Sequence, residues 1–186
     1  ELMRLAVEKG KQTGFKTLAI TFDPHPIKFI KPEKHPPIIT LREQKTELIK
    51  NTGIDEVLTI EFSKDFANLT AIEFIEDILV KKLGAKAVVV GNDYMFGKNR
   101  KGDTELLKEY GEKYGYEVII PEWITLGTKR ISSTLIREAV ETGDLKSARS
   151  MLGRDYQIRG TVVHGRNRGN KIGFPTANLD LLDELC

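Results

Sequence analysis

The sequence predicts an α/β fold built on a mostly parallel sheet, and three observations predict it. First, a helical segment repeatedly ends in Gly and an apolar strand follows. The junctions are Lys11-Gln12-Thr13-Gly14 before Phe15 to Ile20, Lys50-Asn51-Thr52-Gly53 before Ile54 to Ile60, Lys81-Lys82-Leu83-Gly84 before Ala85 to Val90, and Glu112-Lys113-Tyr114-Gly115 before Tyr116 to Ile120. Gly suits the left-handed position just past a helix, and Lys in the last turn complements the helix dipole. Second, Ala87-Val88-Val89-Val90 is apolar without alternation, the pattern of a strand covered on both faces. Third, the 186 residues are 40% hydrophobic and 30% charged, so a core can be built and disorder is not expected.

The elements follow in order. An amphipathic helix opens the chain and leads to the strand ending at Ile20. Pro24, Pro26, Pro32, Pro36 and Pro37 then predict a long irregular loop over 23–39, a length often tied to function. Thr40-x-x-Glu43 and Thr70-x-x-Glu73 read as capping boxes opening two helices. Ile72, Ile75, Ile78 and Leu79 fall on one face of the second. Helices are predicted over 132–142 and 144–152, the latter with Asp144 as its N-cap. Beyond Gly153, Tyr156 to Val163 reads as a half-buried strand rich in β-branched residues, with no helix before its return. The pattern predicts two domains, 1–153 and a β-rich 154–186.

Composition excludes several classes. The net charge of +2 argues against a protein whose main task is coating nucleic acid. The single cysteine, Cys186, cannot form an intramolecular disulfide, which fits a reducing, cytoplasmic setting. No apolar run approaches the ~20 residues that span a membrane, and no signal peptide is evident. The chain opens without Met inside a helical pattern, so the 186 residues read as a window on a longer protein. Oligomeric state is not readable from the sequence.

Several segments sit where an α/β sheet places ligands, at strand C-termini and helix N-termini. In Thr21-Phe22-Asp23-Pro24-His25-Pro26, a His between two prolines has a nearly fixed backbone; it reads as a preorganised binding position or as a turn with an exposed His. Gly91-Asn92-Asp93-Tyr94-Met95-Phe96-Gly97-Lys98 leaves the buried strand directly. It offers aromatic rings for a planar group and cations for an anion, or it is a solvated loop whose rings cover the sheet edge. Ile131-Ser132-Ser133-Thr134-Leu135-Ile136-Arg137 gathers hydroxyls, free N–H groups and a guanidinium at a helix start, a phosphate site or an ordinary N-cap with a surface Arg. Finally, His164 to Asn178 carries Gly165, Gly169 and Gly173 at a spacing of four, with Arg166, Arg168 and Lys171 between them. Thr176 and Asn178 face one side of an extended segment and are reasonable oxygen ligands for phosphate-bound Mg²⁺; a basic hairpin loop is the plainer reading. No zinc pattern, Walker loop or nucleophile elbow occurs. Asp180, Asp183 and Glu184 read as solvating carboxylates rather than general bases.

In this order the segments, together with Phe62-Ser63-Lys64-Asp65-Phe66-Ala67 and Ala148-Arg149-Ser150-Met151-Leu152-Gly153, resemble the bacterial bifunctional riboflavin kinase/FMN adenylyltransferase family, the FAD synthetases. Ser-Ser-Thr-x-Ile-Arg and Gly-Phe-Pro-Thr-Ala-Asn are the most specific of them. The resemblance implies a Rossmann-like nucleotidyltransferase domain over 1–153, lacking its first strand, and the start of a riboflavin kinase β-barrel over 154–186. It implies transfer of AMP from ATP to FMN with release of pyrophosphate, and phosphorylation of riboflavin by ATP and Mg²⁺. Ser132, Ser133, Thr134 and Arg137 would hold ATP phosphates, and Asn92 and Asp93 would line the nucleotide and flavin site. Phe22, Pro24, His25, Pro26 and Phe96 would lie around the flavin. Gly165, Gly169 and Gly173 would shape the kinase nucleotide loop, and Thr176 and Asn178 would take part in Mg²⁺ and phosphate binding. Partners would be small molecules only, with neither nucleic acid nor membrane.

The departures are specific. The family's His-x-Gly-His motif does not occur, and neither does the kinase carboxylate. Tyr94 stands where Phe is usual and Asp155 where Pro is common. The polypeptide as written is therefore expected to lack efficient turnover of either kind. It is also expected to be poorly stable, because the strands flanking an absent central strand are left unpaired. Two other readings stand beside the resemblance: a single-activity nucleotidyltransferase, and a non-catalytic nucleotide- or RNA-binding module using the basic loops.

Overall fold

A computed structural model describes residues 1–30, 33, 35–127, 129–165, 173, 174 and 176–181. The chain divides into two compact units, one of 1–35 and 46–124, the other of 36–45 and 125–186.

In the first unit, α1 (Leu2–Thr13) closes on Gly14 at φ 73, where its N–H donates to the Gly10 carbonyl. β1 (Leu18–Asp23) follows and pairs in parallel with β2 (Glu56–Glu61), Ala19 opposite Val57 and Phe22 opposite Ile60. A reciprocal clamp fixes that register. The Thr17 N–H and hydroxyl both donate to the Asp55 carboxylate at 2.7 Å, and the Asp55 N–H donates back to the Thr17 hydroxyl at 3.0 Å. A second parallel pair joins β3 (Ala87–Val89) to β4 (Glu117–Ile119). Among the described residues the two pairs remain separate ribbons.

Helices cover them. α3 (Arg42–Lys50) precedes β2, and α4 (Lys64–Asn68), capped by Ser63, follows it. α5 (Ala71–Glu73) starts with the predicted capping box, Thr70 accepting from the Glu73 N–H while Glu73 accepts from the Thr70 N–H. It runs at once into a π-helix, Phe74–Lys82, and α6 (Thr104–Tyr114) packs nearby. Phe74, Ile75, Leu79, Val90, Phe96, Leu107 and Tyr116 form the core.

In the second unit, β5 (Thr125–Leu126) and β6 (Lys129–Arg130) make a short antiparallel pair. α7 (Ser133–Glu141) and α8 (Leu145–Leu152) bury Ile136, Ala139 and Ala148. β7 (Gly160–Val163) pairs antiparallel with β8 (Asn178–Leu181). Three long-range bonds tie residues 36–45 into this unit. Arg137 Nε donates to the Pro37 carbonyl at 2.7 Å, Arg154 to the Thr40 hydroxyl at 3.1 Å, and Gln44 Nε2 to Gln157 Oε1 at 3.2 Å.

Several expectations need correction. Thr40 does not cap a helix: α3 begins at Arg42, one residue too late, and the Thr40 hydroxyl serves Arg154 instead. Ile72 is exposed rather than part of the buried face. It lies in the first turn, in α5 ahead of the π-helix, whereas Ile75 and Leu79 are buried as the spacing predicts and Phe74 joins them. The proline-rich segment 23–39 is not wholly irregular, because Pro26–Ile30 forms α2, with the Phe29 N–H donating to the His25 carbonyl. Ala87 to Val89 are half-buried rather than sealed on both faces, because the strand borders a cavity.

Candidate functional site

Phe22 ends β1 and stands in an aromatic row. Its ring lies 5.7 Å from Phe62 and 5.4 Å from Phe66. Phe66 meets Phe74 at 6.3 Å, Phe74 meets Phe96 at 5.4 Å, and Phe96 stacks on Tyr94 at 5.4 Å with 18° between the planes. The row therefore connects the C-terminal end of β1 with the loop leaving β3. Offset and edge-to-face rings at these distances contribute roughly 0.5–1.5 kcal/mol per pair beyond their burial.

The candidate residues of this unit occupy distinct surroundings. The Asp23–Pro24 peptide is cis. Pro24 and His25 are exposed and Pro26 is half-buried. His25 Nδ1 accepts from the Ile27 N–H at 3.3 Å, which orients the ring against its own backbone. Asn92 Nδ2 donates to the Pro121 carbonyl at 2.5 Å, so its amide is anchored, whereas Asp93 lies exposed in the adjoining turn. Phe96 differs from the picture of an open flavin contact: it is 7% exposed and packed between Phe74 and Tyr94. Burial drives the Tyr94 hydroxyl up to about 12.

In the second unit the hydroxyl cluster forms as the sequence predicts. The Ser132 side chain accepts from the Leu135 N–H at 3.3 Å and caps α7. Ser133 and Thr134 are exposed on the first turn, with hydroxyls and backbone N–H groups suited to an anion. Arg137 is half-buried, and its Nε is committed to the Pro37 carbonyl. The guanidinium is thereby oriented by the segment that precedes α3, a constraint no local pattern announces.

The glycine-rich segment is described only in part. Gly169 falls outside the described residues, as do Arg166, Arg168, Lys171, Asp183 and Glu184. Val163 pairs with Asn178, which brings Gly165 against the Asn178 side chain. A Cβ at Gly165 would collide with that amide, so glycine there is a requirement of close approach. Gly173 has φ +80, and Thr176 is exposed. Among the described residues no cluster of His, Cys, Asp or Glu could hold a metal. The Thr176 hydroxyl and Asn178 amide are neutral oxygen donors; they suit a Mg²⁺ ion already carrying phosphate oxygens, not a stand-alone ion.

A cavity of about 690 Å³ lies in the first unit, lined by α1, β1, β3 and the helices beneath them. Its lining is mostly apolar, with Leu18, Ala19 and Ile20 from β1 and Ala87, Val88 and Val89 from β3.

Comparisons with known proteins bear on these arrangements. A family model described as FAD synthetase matches residues 1–135, and one described as riboflavin kinase matches 152–186. The bifunctional riboflavin kinase/FMN adenylyltransferase of Escherichia coli K12 is 39% identical over 174 residues, covering 94% of this chain and 56% of that protein. That of Listeria monocytogenes is 36% identical over 179 residues, covering 96% and 56%. The chain thus spans a little over half the length of the curated relatives it matches. A crystal structure described as a macrolide-efflux protein from Streptococcus pneumoniae superposes with a TM-score of 0.85 at 37% identity, covering all of this chain and 60% of that one. Among the described residues no helix is long and apolar enough to cross a membrane. The match over 1–135, joined to the kinase match that follows it, shows that this chain belongs to the FAD synthetase family.

Proposed function

We propose that this chain is part of a bifunctional enzyme of flavin biosynthesis, which phosphorylates riboflavin to FMN and adenylylates FMN to FAD. The observation that carries this reading is the tandem order: an FAD synthetase match over 1–135, then a riboflavin kinase match over 152–186. Residues 1–153 are read as a Rossmann-like nucleotidyltransferase domain and 154–186 as the beginning of a kinase barrel. Small molecules are its partners: riboflavin, FMN and ATP.

In the adenylyl transfer, an FMN phosphate oxygen attacks the α-phosphorus of ATP in line. The new P–O bond forms as the bond to the β-phosphate oxygen breaks, and pyrophosphate leaves with the electron pair. Such a reaction depends on positioning and charge stabilisation rather than a protein nucleophile. Ser133 and Thr134 hold phosphate oxygens at the start of α7, Ser132 fixes that helix start, and Arg137 supplies positive charge. Asn92 and Asp93 contact the nucleotide and flavin, while Phe22, Pro24, His25, Pro26 and Phe96 shape the flavin surroundings. Phe96 acts from the core, by setting the plane of the exposed segment around it. In the kinase half, Gly165, Gly169 and Gly173 admit the nucleotide backbone-first. Thr176 and Asn178 would help to hold a phosphate-bound Mg²⁺, which would supply neutralisation of phosphate charge.

The test is ATP binding by the chain and by a Ser133→Ala, Thr134→Ala variant. Neither side chain is buried, so the melting temperature should change little. Loss of charge-assisted bonds, each worth ~1.5–3 kcal/mol, should weaken ATP binding at least about tenfold. Unchanged ATP affinity in the variant would remove α7 from the nucleotide site.

A further inference from the structure

Two half-buried arginines of the second unit are held by neutral oxygens alone. Arg137 Nε donates to the Pro37 carbonyl at 2.7 Å. Arg154 donates from Nη2 to the Thr40 hydroxyl at 3.1 Å and from Nη1 to the Asp155 carbonyl at 3.0 Å. Among the described residues neither guanidinium meets a carboxylate, so neither charge is neutralised by the protein. The two groups are spent differently. Arg154 gives both Nη groups to protein oxygens. Arg137 gives only Nε and, among the described residues, keeps its Nη fork, the part that grips a phosphate with two parallel bonds.

What Arg154 holds is the segment that holds Arg137. The bonds follow one another along 36–45: Pro37 meets Arg137, Thr40 meets Arg154, and Gln44 meets Gln157 at 3.2 Å. The segment is stiff at its start. Pro36 and Pro37 each have φ fixed at about −65°, and a residue before proline is confined to extended backbone. Further along, Leu41 and Gln44 are buried. Gln44 Oε1 has no partner among the described residues. An unmade bond at a buried oxygen is destabilising, so an apolar side chain would serve packing better there. The amide is explained by its other end, which fastens Gln157.

Arg137 stands one turn along α7 from Ser133 and Thr134, at i+4 and i+3, so the three share a helix face. Its Cα–Cβ bond tilts toward the helix N-terminus, where the free N–H groups are. A bidentate grip on phosphate works best when the guanidinium plane is set in advance. The Nε–H lies in that plane, so the Pro37 carbonyl sets it. Thr40 and Arg154 in turn set the Pro37 carbonyl, through the short, stiff stretch between them.

We propose that Thr40 and Arg154 are positioning residues of the ATP site. They act through the Pro37 carbonyl on Arg137 and hold its Nη fork ready for the phosphates that Ser133 and Thr134 receive. This rests on the reading of α7 as the nucleotide site. Ser133 and Thr134 belong to the stretch matched as FAD synthetase, whereas Arg154 and Gln157 belong to the stretch matched as riboflavin kinase. Nucleotide affinity in the one half therefore depends on side chains of the other.

The experiment measures two quantities on the full chain: solvent exchange of the Arg137 Nε–H by NMR, and affinity for ATP with Mg²⁺ by calorimetry. Thr40→Val keeps the shape and removes the hydroxyl, whereas Thr40→Ser keeps the hydroxyl. Loss of one neutral hydrogen bond in Thr40→Val should speed Nε–H exchange and weaken ATP binding, each about fivefold, and Thr40→Ser should restore both. Arg137→Ala should weaken ATP binding at least about tenfold, and Thr40→Val should add nothing on that background. Arg154→Ala breaks the same bond from the other side and replaces Thr40→Val if that variant does not fold. Three outcomes would overturn the proposal: Nε–H exchange unchanged in both variants; an equal loss of ATP affinity with and without Arg137, the mark of a merely structural role; or faster exchange with ATP affinity unmoved. A chain whose Nε–H responds as expected but which binds no ATP overturns instead the nucleotide reading of α7, and with it the ATP role of Thr40 and Arg154.

Discussion

Two residues carry titration behaviour with opposite signs. Asp55 accepts two bonds from Thr17, first the backbone N–H and then the hydroxyl, and these hold its carboxyl below the ordinary range. A depressed folded value stabilises the protein above the unfolded value of about 3.9, and the contribution is lost as pH falls through the folded value. Asp55→Asn should therefore lower the neutral plateau of a pH–melting profile and flatten its acid limb, leaving the alkaline slope unchanged. Tyr94 behaves oppositely. Burial holds its hydroxyl at about 12, so the neutral ring stabilises the fold below the unfolded value of about 10. That contribution disappears as pH rises toward 12. Tyr94→Phe should remove part of the alkaline destabilisation, measured by melting over that window with tyrosinate absorbance as the monitor. Tyr116 is likewise pushed up to about 12 by burial and will supply the remainder.

At the scale of elements, the core depends on a few fully buried contacts. Leu107 on α6 is fully buried in the main cluster. Leu107→Ala removes apolar volume that its neighbours cannot fully reclaim, and should lower stability by ~2–5 kcal/mol in denaturant unfolding. Thr70→Ala removes the cap of α5 and should cost about 1 kcal/mol by the same measurement. Much of this level was legible in the sequence because it is written locally. Gly14 and Gly115 mark helix ends, Ser132 and Asp144 mark helix starts, and Ala87 to Val89 mark a strand. What was not legible depends on distant partners. Thr40 resembles a cap until Arg154 is brought to it, and Ile72 stays exposed in the first turn although the spacing groups it with the buried Ile75 and Leu79. The candidate sites divide in the same way. Ser133 and Thr134 stand where the local pattern puts them, whereas the burial of Phe96 and the bond from Arg137 to Pro37 arise only from tertiary packing.

For the whole molecule, the proposed flavin-biosynthetic reading rests on the tandem family match and calls for small anionic ligands. The 186 residues contain no His-x-Gly-His, so steady-state formation of FAD from FMN and ATP should be far below an enzymatic rate even where binding is retained. Binding is therefore the most direct probe of the proposed flavin and nucleotide sites. The decisive measurement is a titration of the chain with FMN and with ATP and Mg²⁺, beside a structured RNA at low and moderate salt. Flavin and nucleotide should bind saturably, and RNA binding should be weak and abolished by salt. A folded chain that ignores FMN and ATP yet binds RNA saturably at moderate salt would contradict the flavin-biosynthetic reading.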